Sequence, residues 1–135
     1  MPPLLLDALG KHLRTAHRPN LTDIRRRLSA LAARHGLRTP SRATLYNTLP
    51  HVVGTESSAG SLPAPVREAL YNVTPDGRVP GRQVAFYCFN YGSLAAISFA
   101  AGLPWLDLYQ SGLMRGWRPR SRGLLLAALR ARGQR

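Results

Sequence analysis

From Gln83 to Leu106 the chain runs for 24 residues without a charged side chain, inside a protein of 135 residues whose net charge is +13. Such a stretch either crosses a membrane or lies buried inside the fold. Asn90, Tyr91, Gly92, Ser93, Ser98 and Pro104 interrupt it with polar groups and helix breakers, which argues against a bilayer span and for a core. Its first half, Gln83–Phe89, is rich in β-forming residues and is the best strand candidate in the chain. Its second half, from Ser93 to Ala101, reads as a core helix. A hydrophobic fraction of 44% is enough to fill a core, so wholesale disorder is disfavoured despite the charge.

Around this neutral stretch the charge is unevenly placed. Residues 1–53 carry nine basic side chains against Asp7 and Asp23, a balance of +7. Residues 54–114 balance at −1 and hold eight of the ten aromatics. Residues 115–135 carry seven arginines and no acid, again +7. All the cations but Lys11 are arginines. Two cationic ends around an aromatic middle point to a polyanionic partner. The start MPPLLLDALG lacks a basic segment and is cut by Asp7, so no secretory signal is read. A cytoplasmic, nucleoid-associated protein is expected, with no membrane partner.

Helical periodicity organises the first 53 residues. Leu6, Leu9 and Leu13 stripe a helix from about Leu4 to Ala16, which His17-Arg18-Pro19 ends. Asn20 can cap a second helix whose Leu21, Ile24, Leu28 and Leu31 recur on one side, with Arg25, Arg26 and Arg27 mostly away from it. Gly36 stops that helix, and the turn HGLRTPS leads to a third from Pro40 or Ser41 to Leu49. Leu45 and Leu49 mark its inner side, and Pro50 ends it. His51–Pro65 is small, polar and proline-bearing, hence a loop or wing, and PVREALYNV is either a short helix or the start of a strand. Helices near Pro104–Met114 and Ser121–Ala131 close the chain.

The expected fold is therefore mainly α with a small β component: an N-terminal helix-turn-helix, winged or plain, then a strand or hairpin, then C-terminal helices. Residues 1–53 form the DNA-binding region, 54–82 a loop, wing and connector, and 83–135 an aromatic region with a basic last helix. RHGLRTPSRATLYNTL and MRGWRPRSRGLLLAAL also match at an offset of 80 residues, an echo that a chain rich in Arg and Leu produces by chance more readily than by duplication.

Three short helices ending in a polar-faced one are the layout of a helix-turn-helix, in which the last helix offers its outer face to the major groove. Ser41-Arg42-Ala43-Thr44-Leu45-Tyr46-Asn47-Thr48-Leu49, preceded by LTDIRRRL, resembles the recognition and supporting helices of the winged-helix DNA-binding domain of ferric-uptake-regulator-type repressors. The resemblance covers about residues 4–53. It implies Thr44 and Tyr46 facing bases or sugar-phosphate, with Leu45 and Leu49 in the core. Where that family usually carries a basic residue after the tyrosine, this chain has Asn47, which can pair bidentately with adenine. That family's metal chemistry has no counterpart, because His12, His17, His35 and His51 show no ligand spacing and Cys88 is the single cysteine.

Ser41, Arg42, Thr44, Tyr46 and Asn47 are thus the candidates for base readout. Arg25, Arg26, Arg27 and Arg38, with Arg118, Arg120 and Arg122 from the second basic block, are the candidates for phosphate contact. Trp117 among those arginines either stacks on a base or packs on the last helix, and Cys88 in AFYCFN reads as a buried structural thiol. Six singly placed acids and no nucleophile or phosphate-loop motif give no enzymatic reading, and neither a metal nor a cofactor is expected. The function expected is sequence-specific binding of double-stranded DNA, as a transcriptional regulator dimerising through residues 83–114. An antitoxin-like or adaptor protein that binds an acidic protein, and an RNA-binding protein, are the rival readings.

Overall fold

A computed structural model describes residues 1–74 and 76–132. Eight helices, α1 (Pro3–Arg14), α2 (Leu21–Arg34), α3 (Arg42–Thr48), α4 (Ala64–Ala69), α5 (Gly81–Tyr91), α6 (Leu94–Ala101), α7 (Trp105–Gly112) and α8 (Pro119–Ala131), accompany one two-stranded sheet of β1 (Glu56–Ser58) and β2 (Arg78–Pro80). No helix among the described residues is long and apolar enough to cross a membrane.

Local signals set the first three helices. Pro3 opens α1, where its missing N–H costs nothing. Leu5, Leu9 and Leu13, spaced four apart, are its fully buried side, while Leu6 of the expected stripe faces outward. The Asn20 side chain accepts the Asp23 N–H at 3.1 Å and so caps α2. Gly36, at φ +64°, ends that helix in a Schellman turn, its own N–H reaching Ala33 O and the Leu37 N–H reaching Ala32 O at 2.8 Å. Ser41 caps α3 by accepting the Thr44 N–H at 3.1 Å. Leu9, Leu13, Ile24, Leu28, Leu45, Leu49 and Val52 then close into an aliphatic core that Leu106 of α7 completes. Each such side chain removed from water contributes about 1.5–3 kcal/mol.

The second core is built around α5. Gln83–Phe89, expected as a strand, lies inside this helix instead. The reason is that α5 sits among α4, α6, α7 and α8. Val84, Ala85, Phe86, Cys88, Phe89 and Asn90 are all buried, and the side left toward solvent carries the aromatic Tyr87 and Tyr91, so no charged stripe writes a helical period into the sequence. The small β component lies earlier. β1 and β2 pair antiparallel, Glu56 opposite Pro80 and Ser58 opposite Arg78, with α4 carried on the connection between them. Val66, Ala69, Leu70 and Val79 from this segment join Ala96, Ala100, Leu108 and Leu125 around α5.

Buried polar groups lock the two cores together. The Thr55 N–H and hydroxyl both donate to the Asp107 carboxylate, at 3.1 and 2.5 Å, and Gln110 donates to the Leu49 and Val52 carbonyls at 3.0 and 2.6 Å. Burial raises the Asp107 pKa above its ordinary 3.8, opposed by the two Thr55 bonds and the Arg82 charge. Gly81 is glycine for a reason of space, since a Cβ there would stand 2.4 Å from the Asp107 carboxyl carbon. At the far end, buried Arg132 donates to His17 O at 3.0 Å, to Ala101 O at 2.6 Å and to Leu103 O, tying the end of α8 to two loops.

Candidate nucleic-acid interface

The face shared by α2 and α3 is a cationic groove. Leu21, Thr22, Arg25, Arg26, Ser29, Ala30 and Ala33 of α2 form one wall, and Thr39 and Arg42 the other, around a volume of about 510 Å³. A second hollow of about 370 Å³ continues it past Arg18, Asn20 and Tyr46. Leu21, Thr22 and Arg42 line both, so the two are one surface feature with Arg42 at its middle.

Local chemistry holds the groove open. The Arg25 Nε–H donates to Pro40 O at 3.1 Å, and the Ser29 and Thr39 hydroxyls meet at 3.1 Å, which pins the turn against α2. Asp23 pairs with Arg26 and, at 3.1 Å, with Arg27. The Arg26 hydrogen bond leads the causes that hold its carboxyl below the usual 3.8. One carboxylate between two guanidinium groups leaves the pair with net positive charge. All three arginines stay exposed, as does Arg38.

On α3 the outward face is Arg42, Ala43, Tyr46 and Asn47, the spacing of one helical side. Tyr46 is 46% exposed, a large value for a tyrosine with a half-apolar ring. Leu45 and Leu49 are fully buried on the opposite side. Ser41 is exposed but its hydroxyl is engaged at the helix start, 2.9 Å from the Thr44 hydroxyl, and Thr44 itself is half-buried. Among the five residues read from the sequence as base contacts, Arg42, Tyr46 and Asn47 therefore point out of the helix, whereas Ser41 caps it and Thr44 is engaged by that cap. Arg18, which lines the groove from the α1–α2 loop, was not among the sequence candidates. Its one available signal was its place beside the turn-forming Pro19-Asn20 that starts α2.

The second basic block is arranged differently. The Arg118 N–H donates to the Asn90 side chain at 3.0 Å, its guanidinium donates to Asn90 O at 3.2 Å, and it lies 4.7 Å over the Tyr91 ring. Arg122 donates to Gly112 O at 3.1 Å, and Arg120 is exposed. The structure does not bring these three to the α2–α3 groove: they belong to α8 and the turn before it. Trp117 packs: its indole N–H donates to Ser111 O at 2.8 Å and its ring stands edge-on to Phe86 at 5.3 Å. Cys88 is fully buried, and burial pushes its thiol pKa up to about 11, so it is inert as a nucleophile. No cluster of three His, Cys, Asp or Glu side chains able to hold a metal occurs among the described residues.

Comparison with known proteins yields no relative: no family model, no curated protein and no solved structure matches the chain.

Proposed function

We propose that the chain is a sequence-specific double-stranded DNA-binding protein that acts as a transcriptional regulator through α2 and α3. The observation that carries this reading is the continuous groove with Arg18, Arg25, Arg26 and Arg42 on its walls, beside a short helix whose outer side is Arg42, Tyr46 and Asn47. Arginine and asparagine are the side chains that pair bidentately with guanine and adenine edges in the major groove. Arg25, Arg26, Arg27 and Arg38 are exposed and supply the phosphate contacts in this reading. Dimerisation fits α6. This helix has no charged residue and exposes Leu94 at 80% and Phe99 at 36%, so two copies of a strongly cationic chain meet there with least repulsion. A two-fold pair would read half-sites about 34–36 Å apart.

The test is binding to duplexes selected from random DNA, followed by anisotropy. Neutralising on the order of 6–10 phosphates costs about 10³–10⁵ in affinity between 50 and 200 mM salt. Tyr46→Ala and Asn47→Ala should each relax discrimination at a defined base pair by about 1–3 kcal/mol, whereas Arg26→Ala should weaken all sequences alike. A flat salt response overturns the DNA reading, and identical behaviour of the three variants overturns the role given to α3.

A further inference from the structure

Away from the groove, three tyrosines from two segments share one surface. Tyr71, in the turn after α4, meets Tyr87 and Tyr91 of α5 edge-on, with ring centroids 5.9 Å apart in both cases, and Tyr87 meets Tyr91 at 5.8 Å. The rings touch one another, so they leave no cage for a small cation between them. They form a platform instead. Tyr71 is 70% exposed and Tyr91 42%, while Asn72 fixes the Tyr87 hydroxyl at 2.9 Å.

Arg118 completes this surface. Its guanidinium lies over Tyr91 and donates to Asn90 O, while its backbone N–H donates to the Asn90 side chain, so its orientation is set before any ligand arrives. Asn90 is itself buried and bonded to Phe86 O at 2.8 Å. Arg115 and Arg120 flank Arg118 in sequence and are exposed, and no carboxylate pairs with any of the three among the described residues. Residues 115–132 contain six arginines and no acid.

A phosphate alone would need the arginines and not the tyrosines, and an apolar partner the reverse. The ligand that uses both is one with flat π-faces strung on an anionic backbone. We infer that the surface made by Tyr71, Tyr91 and Arg118 binds unpaired nucleic acid, with bases stacking on the tyrosine rings and the Arg118 plane while the neighbouring arginines follow the phosphates. This second surface gives the C-terminal +7 block a role, and it does not depend on the duplex reading of α2 and α3.

Anisotropy of labelled oligomers tests it, with (dT)12, (U)12 and an abasic 12-mer of the same charge as probes. The full chain should bind (dT)12 and (U)12 at least ten-fold more tightly than the abasic strand. A preference shared by both assigns the site to unpaired strands in general, and a preference for one assigns it to that sugar. Tyr71→Ala should cut the gap by about 5- to 150-fold, as loss of a stacking ring does, and leave duplex binding unchanged. Arg42→Ala should do the opposite. Tyr71→Trp keeps the platform and should show indole fluorescence quenched by (dT)12 but not by the abasic strand. Equal binding of abasic and base-bearing strands overturns the inference, as does a Tyr71→Ala chain of unchanged melting temperature that keeps the preference. Loss of duplex binding with stacking intact would leave this surface standing and remove only the first proposal.

Discussion

Gly36 and Gly116 are the only described residues with positive φ, at +64° and +95°, and each stands two residues before an arginine that leads into a helix. The sequences that follow them match at Arg38/Arg118, Ser41/Ser121, Arg42/Arg122, Leu45/Leu125 and Leu49/Leu129. The likeness holds for the turn and for the inner leucines, Leu45 and Leu125 being fully buried or nearly so. It fails for the polar residues. Ser41 lies outside α3 and caps it, whereas Ser121 is already inside α8 and buried. Arg38 and Arg118 are both exposed, but Arg118 is bonded to Asn90 and laid over Tyr91. Equal charge in two blocks of sequence is therefore not equal charge offered to a ligand. In the first block Arg18, Arg26 and Arg42 line an open groove and Arg25 both lines it and pins the turn before α3, whereas in the second Arg118 and Arg122 are bonded to backbone carbonyls away from that groove.

The largest expected effect tests the part that the two units share. Leu45→Ala and Leu125→Ala each remove a buried leucine from a packed core and should cost about 2–5 kcal/mol in urea unfolding. Leu45 sits in the all-aliphatic N-terminal core, and Leu125 in the core that surrounds α5. Thr55–Asp107 and Gln110 tie those cores, so both variants should unfold in one transition. Two separated transitions in either variant would show the cores to be independent units.

How far this organisation can be read from sequence depends on whether a residue's neighbours are local. Asn20, Gly36 and Ser41 act on groups within five residues, and each marks a helix end correctly. Mainly helical content with a small β part is likewise legible. The α5 helix is not, because Val84, Phe86 and Phe89 are buried and its outer side carries the aromatic Tyr87 and Tyr91, so the stretch mimics a buried strand. Leu106, Asp107 and Gln110 belong to the middle of the chain yet complete the N-terminal core, and that placement rests on contacts with residues more than fifty positions away. At the candidate site, Arg42, Tyr46 and Asn47 follow from helical spacing alone. The capping engagement of Thr44 and the pinning of Arg118 by Asn90, 28 residues earlier, depend on side-chain geometry that spacing does not encode.

A middle-sized effect separates the paired arginines. Arg118→Ala removes the guanidinium bond to Asn90 O and the ring contact on Tyr91, and should destabilise the chain by about 1–3 kcal/mol. Arg38→Ala removes an exposed side chain and should stay within about 0.5 kcal/mol of the parent. In duplex binding the order should invert, Arg38→Ala losing affinity and Arg118→Ala little. Equal stability losses would mean that Arg38 is structurally engaged as well, and the contrast between the two blocks would collapse.

The smallest effect concerns the two glycines. Space is not the constraint at either: a Cβ at Gly36 would meet nothing within 4 Å, and one at Gly116 would touch the Phe86 ring at an ordinary 3.5 Å. Backbone conformation is. At φ +64° Gly36 lies within the left-handed helical well, which an alanine enters at a cost of about 1–2 kcal/mol and an asparagine enters more easily. At φ +95° Gly116 lies outside that well, where a Cβ is opposed more strongly and a short polar side chain brings no relief. Gly36→Asn should therefore recover much of the stability that Gly36→Ala loses, and Gly116→Asn should recover none of the loss from Gly116→Ala. Recovery at both positions would make the two turns equivalent in backbone as well as in sequence, and the difference between the blocks would then rest on Asn90 and Tyr91 alone.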